Sequence, residues 1–122
     1  MIWKIKKELL EGVCELAKET YPNEFVSALR AKEGLIYELV LIPGTQSSDR
    51  SAVFRIGMLP PDREIVGTVH SHPLPDPRPS GEDFFLFEKY GGVHIIVAYP
   101  YDMGSWRSYD SAGEEVKLEV MD

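Results

Sequence analysis

The chemistry of this chain is concentrated in Gly67-Thr68-Val69-His70-Ser71-His72-Pro73-Leu74-Pro75-Asp76-Pro77-Arg78-Pro79-Ser80-Gly81-Glu82-Asp83. His70 and His72 close an apolar run, and the two-residue period of a strand sends both imidazoles to one face while Ser71 turns to the other. Two converging imidazoles suit a divalent metal such as zinc. The prolines at 73, 75, 77 and 79 predict a stiff, extended connector, which lowers the entropy cost of returning Ser80 and Asp83 towards the histidines. Ser80 stands where a helix should begin. That places Asp83 on the first turn, near the free N–H groups and the positive end of the helix dipole, where a carboxylate stays ionised. Each part also has a plain reading: Ser80 with Asp83 resembles a capping box, and the paired histidines alone fit a surface. Taken together, the residue types of a His, His, Asp zinc site on a strand, a stiff loop and a helix start favour metal.

The elements that must position these residues follow from periodicity. Leu9, Leu10, Val13, Leu16 and Ala17 recur at helical spacing between Lys6 and Thr20, and Pro22 closes that helix. Cys14 lies beside the apolar stripe and reads as buried packing. Strands are expected at Phe25 to Leu29, Leu35 to Ile42 and Ala52 to Ile56, with a polar loop at 43–50, then a strand from Glu64 to His72. A helix from Gly81 to Tyr90 and a strand from Val93 to Tyr99 follow the connector. The end of the chain reads as a hairpin, Trp106 to Tyr109 and Glu115 to Val120, turning at Asp110-Ser111-Ala112-Gly113. His94 begins an apolar strand and reads as a packing or hydrogen-bonding residue.

Length and charge set the limits. The 122 residues predict one α/β domain spanning 1–122, with room for a single core. A formal net charge of −7 disfavours nucleic acid and anionic membrane surfaces, so a polypeptide partner is the better expectation. The charged opening Met1-Ile2-Trp3-Lys4-Ile5-Lys6-Lys7-Glu8 and the lack of a long apolar stretch near it predict a cytoplasmic protein with no membrane span. One cysteine supports neither an internal disulfide nor a Cys-based zinc site, leaving any metal to His and carboxylate. No Gly-x-Ser-x-Gly elbow and no His-Glu-x-x-His helix is present, so serine-hydrolase and zincin chemistry are disfavoured.

His70-Ser71-His72, seven residues, Ser80, two residues and Asp83 resemble the pattern of the JAMM (MPN-plus) zinc metalloproteases without a gap. The resemblance extends along nearly the whole chain, because the order of helix, strands, motif loop and helix is similar to the MPN fold. It implies a curved mixed α/β sheet flanked by helices, of cytidine-deaminase-like type. It also implies one zinc ion held by His70, His72 and Asp83, with Ser80 helping to stabilise the oxyanion and an upstream glutamate as the base. In the family that base opens the first strand after the first helix, which selects Glu24 in Asn23-Glu24-Phe25-Val26. Glu38, inside a strand, is the competitor.

The implied function is a zinc-dependent isopeptidase or peptidase that hydrolyses the amide after the C-terminal Gly-Gly of a ubiquitin-like modifier. Processing of the C-terminus of a sulfur-carrier protein is the alternative, and a non-catalytic MPN scaffold is a second. The stretch after Asp83 has one His and no Cys, so the additional structural zinc of some eukaryotic relatives is not expected. The chain therefore looks more like the compact archaeal or bacterial members. MPN domains often pair, so a homodimer is also expected.

Overall fold

The computed structural model describes residues 2–41 and 62–122. The expected loop at 43–50 and strand at 52–56 lie outside the described residues, as does Ile42 at the end of the strand expected from Leu35. Among the described residues the order is β1 (Trp3–Lys6), α1 (Lys7–Thr20), β2 (Val26–Lys32), β3 (Leu35–Leu41), β4 (Ile65–His72), α2 (Gly81–Tyr90), β5 (Val93–Ala98), β6 (Trp106–Tyr109) and β7 (Leu118–Met121). The strands form one mixed sheet in the order β6-β5-β4-β2-β3-β1-β7.

Helix α1 has no side-chain hydrogen bond at its N-cap, Lys6, so its own ends do little to hold it. Packing does. Leu10, Val13, Cys14 and Ala17 are buried on the sheet against Phe25, Leu29, Val69, Ile95 and Val97, and burying a Leu or Val side chain stabilises by roughly 1.5–3 kcal/mol. Cys14 is part of this core as expected, and burial pushes its thiol pKa up, away from nucleophilic use. Phe87 of α2, Ile96 of β5 and Tyr109 of β6 form a second, smaller cluster on the other side. The motif strand β4 is thus covered on both faces, and residues 67–71 are buried without interruption.

Register is set by close turns. Glu33 and Gly34 both have positive φ, 52° and 82°, which suits a two-residue hairpin turn between β2 and β3. β2 then runs antiparallel to β4 with Val26 opposite His70 and Ala28 opposite Thr68. β4 lies parallel to β5, with His70 beside Ile96. At the start of that pair, a Cβ on Gly67 would collide with the Val93 carbonyl oxygen, and one on Gly92 with that of Val66. Only glycine allows this approach, and at Gly92 (φ 67°) the backbone conformation favours glycine as well.

One element was not anticipated and one expectation needs correction. Trp3–Lys6 is a strand, β1, which pairs parallel with both β3 and β7. The C-terminal hairpin is reduced to a turn: Tyr109 and Glu115 make one isolated antiparallel bridge, after which residues 118–121 leave to pair with β1. The reason lies in partners, since β1 offers Leu118–Met121 a four-residue parallel ladder while β6 is taken up on one side by β5. That bridge, with Val116 N–H donating to Ser108 O (2.9 Å), brings the two ends of the sheet together and curls it into a nearly closed form. No helix among the described residues is long and apolar enough to cross a membrane.

Candidate metal centre

The end of β4 and the start of α2 meet at three side chains. His70 Nε2 lies 2.7 Å from Asp83 Oδ1, and His72 Nε2 lies 3.1 Å from Asp83 Oδ2. The ligand-capable atoms of His70, His72 and Asp83 all fall within 4.8 Å of one another, the one such group of His, Cys, Asp or Glu among the described residues. The strand period predicted the two imidazoles on one face, and their centroids stand 5.1 Å apart there. Ser71 turns the other way, where its Oγ accepts from Phe25 N–H at 2.9 Å.

Asp83 reaches the histidines because of its place in the helix. Ser80 is the N-cap of α2, and a full capping box is present: Ser80 Oγ accepts from Asp83 N–H (3.4 Å) and Asp83 Oδ2 accepts from Ser80 N–H (2.7 Å). The capping reading is realised, and the same carboxylate also lies against both histidines. Burial alone would raise the Asp83 carboxyl pKa, but the contacts with His70 and His72 and the Ser80 N–H outweigh it and hold the group well below the usual carboxylate range. For His72 burial favours the neutral ring, yet Asp83 and the Asp76 carbonyl outweigh it and its pKa rises.

The arrangement fits a bound cation on its own geometry. Asp76 O, which can only accept, lies 3.0 Å from His72 Nδ1, so Nδ1 carries a proton and a neutral His72 presents a lone pair at Nε2. That lone pair faces the lone pairs of Asp83 Oδ2. His70, almost fully buried, has neither ring nitrogen in hydrogen-bond alignment despite the short approach to Asp83. Four lone-pair-bearing atoms converging in a buried corner require a proton or a metal between them, and two imidazoles with a carboxylate are the donor set of a three-ligand catalytic zinc site.

Glu24 and Ser80 border the same corner. The contact between β2 and β4 continues past Val26, since Ser71 N–H donates to Phe25 O (3.0 Å), and this brings Glu24 to the end of β4 where His72 stands. Glu24, His72, Leu74, Arg78 and Ser80 line an open cleft of about 530 Å³. Burial raises the Glu24 pKa, opposed by the nearby His70 and His72 and reinforced by Asp83. Glu38 is elsewhere, exposed on β3 and paired with Arg30 at 2.7 Å. Ser80 Oγ uses a lone pair to receive Asp83 N–H, which leaves its own O–H free to donate into the cleft.

His94 does not join the group. It is fully buried on β5, with Nδ1 2.8 Å from Thr68 Oγ1 and its ring stacked on Phe87 at 4.4 Å. Two residues around the site carried no signal in the motif spacing. Arg78 lies at the cleft mouth and binds Asp76 through Nε and Nη2, and Tyr109, from β6, donates its hydroxyl to Pro77 O at 2.7 Å. Asp-Pro-Arg does carry a turn signature, from which the Asp76–Arg78 contact was accessible.

Residues 6–109 match the family described as prokaryotic homologues of the JAB domain. A probable metalloprotease of Haloferax volcanii is 36% identical over 128 residues, covering 97% of this chain and 79% of that protein. Among solved structures, one presented as a JAMM metalloprotease-like zinc site in the proteasome and signalosome superposes with a TM-score of 0.81 at 39% identity, covering 100% of both chains. A JAB1/MPN domain protein from Archaeoglobus fulgidus gives 0.78 at 41% identity, with 98% of this chain and 97% of that one covered.

Proposed function

The chain belongs to the family of prokaryotic homologues of the JAB domain, and from that premise we propose that it is a zinc-dependent protease that hydrolyses the amide bond after the C-terminal Gly-Gly of a ubiquitin-like modifier. The observation that carries the catalytic part is the convergence of His70, His72 and Asp83 beside a cleft lined by His72, Glu24 and Ser80. In this reading the two imidazoles and the carboxylate hold one zinc ion. When bound, the ion would supply Lewis acidity, bringing the pKa of its water down to about 7 and polarising the scissile carbonyl.

The chain's own groups do the rest. Glu24 takes a proton from the attacking water and returns it to the leaving amine, and the Ser80 hydroxyl donates to the oxygen that becomes negative in the tetrahedral state. Asp83 fixes the charge of the site, and its bond from Ser80 N–H keeps that carboxylate in place as the reaction proceeds. No covalent enzyme intermediate is required. The leaving amine is a lysine side chain in an isopeptide or an α-amine in a linear fusion.

The substrate assignment rests on the match between the motif and the JAMM proteins and on the exposed cleft, which admits a polypeptide. The extended tail of the modifier lies along the cleft as an added strand, and small residues next to the cut let the backbone approach the metal corner. The acidic charge and lack of a disulfide suit a cytoplasmic setting, and a homodimer suits the family. The test is cleavage of a Gly-Gly-ended ubiquitin-like conjugate beside the same conjugate with its last glycine replaced by a bulky residue. Cleavage confined to the first supports the assignment, and equal turnover of both removes it.

A further inference from the structure

The two histidines are held by different means. His70 is almost fully buried near Phe87, at 6.4 Å between ring centroids, so packing restrains it. His72 stands at the end of β4, where the strand opens into the proline loop, and its side chain is 14% exposed. Its ring orientation depends on two contacts: Asp83 at Nε2 and the Asp76 carbonyl at Nδ1. If the carbonyl moves, the ring loses the acceptor that keeps Nε2 turned to Asp83.

That carbonyl belongs to a loop with few ways of holding itself. Pro73, Pro75, Pro77 and Pro79 have no N–H, so between 73 and 79 only Leu74, Asp76 and Arg78 can donate from the backbone. Two of those three donors meet at Asp76: its own N–H goes to Leu74 O (2.8 Å), and Arg78 N–H goes to its Oδ1 (3.0 Å). The second contact is an Asx turn closing around the Asp76–Pro77 peptide, whose oxygen faces His72. Arg78 adds a guanidinium contact to the same carboxylate, 2.9 Å from Nε to Oδ1 and 2.8 Å from Nη2 to Oδ2.

We propose that Asp76 is a positioning residue for the metal centre: its side chain closes the turn that presents its own carbonyl to His72 Nδ1, and so fixes Nε2 as the ligand atom. This rests on the reading of His72 as a zinc ligand. The turn needs an acceptor oxygen rather than a charge, and the Arg78 ion pair, being largely exposed, adds little. Partners of this kind behind a metal-binding histidine commonly contribute 10–100-fold in metal affinity.

The test is zinc affinity of the purified chain by chelator competition, together with thermal unfolding of the zinc-free form. Asp76→Ala should bind zinc roughly 10–100-fold more weakly. Asp76→Asn retains an oxygen for Arg78 N–H and should stay within about 3-fold of wild type, as should Arg78→Ala. Wild-type affinity in Asp76→Ala, or equal losses in the Ala and Asn variants, overturns the proposal. Nitrogen-15 NMR of His72 in the zinc-loaded wild type gives a second reading that needs no variant. A proton on Nδ1 with the metal on Nε2 is the expected pattern, and the reverse overturns it. A wild-type chain that binds no zinc would overturn the metalloprotease reading as well, which separates the two failures.

Discussion

Ser80 and Asp83 hold each other at the first turn of α2, the serine hydroxyl receiving Asp83 N–H and the aspartate carboxylate receiving Ser80 N–H at 2.7 Å. The same Oδ2 lies 3.1 Å from His72 Nε2, so one carboxylate both caps the helix and meets the histidine pair. Asp83→Ala removes both. Two histidines alone leave zinc with half its usual four ligands, and the variant should purify without zinc and without activity. Zinc stoichiometry beside the cleavage rate checks it, and a full zinc complement in Asp83→Ala removes that residue from the ligand set.

Ser80 can be dissected by choice of substitution. Losing its hydroxyl should cost roughly 10²-fold in kcat, the usual contribution of one oxyanion donor. Ser80→Ala should also lose about 1 kcal/mol of stability through the missing cap, whereas Ser80→Gly should lose only a few tenths. If both variants lose activity equally while differing in denaturation midpoint, the catalytic and capping roles are separate. Wild-type turnover in both would take Ser80 out of the chemistry.

Glu24→Gln keeps the shape of the side chain and its place in the cleft beside His72 but cannot take up a proton. Zinc content and fold should persist while turnover falls by ~10²-fold or more. Glu38→Gln, exposed on β3 and paired with Arg30 of β2, should cleave at close to the wild-type rate. A dead Glu38→Gln with an active Glu24→Gln would reverse the assignment of the base.

The metal corner was legible in the sequence because its geometry is local. A strand period of two, a stiff loop and a helix cap fix His70, His72, Ser80 and Asp83 with little help from the rest of the fold. Glu24 is a different case, selected by family resemblance, and only the antiparallel meeting of β2 and β4 brings it to the cleft that His72 lines. β1 was missed because four residues with Lys4 and Lys6 on the outer side give too short a period-two signal; Trp3 and Ile5 are the inward pair. The supposed terminal hairpin failed for a nonlocal reason, since a parallel partner for β7 is set by topology and leaves no mark in the turn. The Asp76 and Tyr109 contacts on the proline loop depend likewise on backbone oxygens, which sequence spacing does not display.

His94 makes stability depend on pH. Burial lowers its pKa from 6.5 to about 4, so the unfolded chain takes up the proton first as pH falls. The stability it contributes is present above pH 6.5 and is lost between there and pH 4, to a total of about 3 kcal/mol. In His94→Gln that dependence should be absent, so the gap between wild type and variant should narrow as pH is lowered across this window. Denaturant titrations of the zinc-free proteins at several pH values check it, and parallel curves would contradict it.

In the proposed function His70, His72 and Asp83 hold one catalytic zinc ion in a protease that cuts after Gly-Gly. Its most direct measurement combines metal analysis of the purified chain with cleavage of a Gly-Gly-ended ubiquitin-like conjugate before chelation, after chelation and after zinc is restored. The expected result is about one zinc per chain, cleavage abolished by the chelator, and cleavage recovered on adding zinc. A metal-free preparation that cleaves the conjugate at full rate would contradict it.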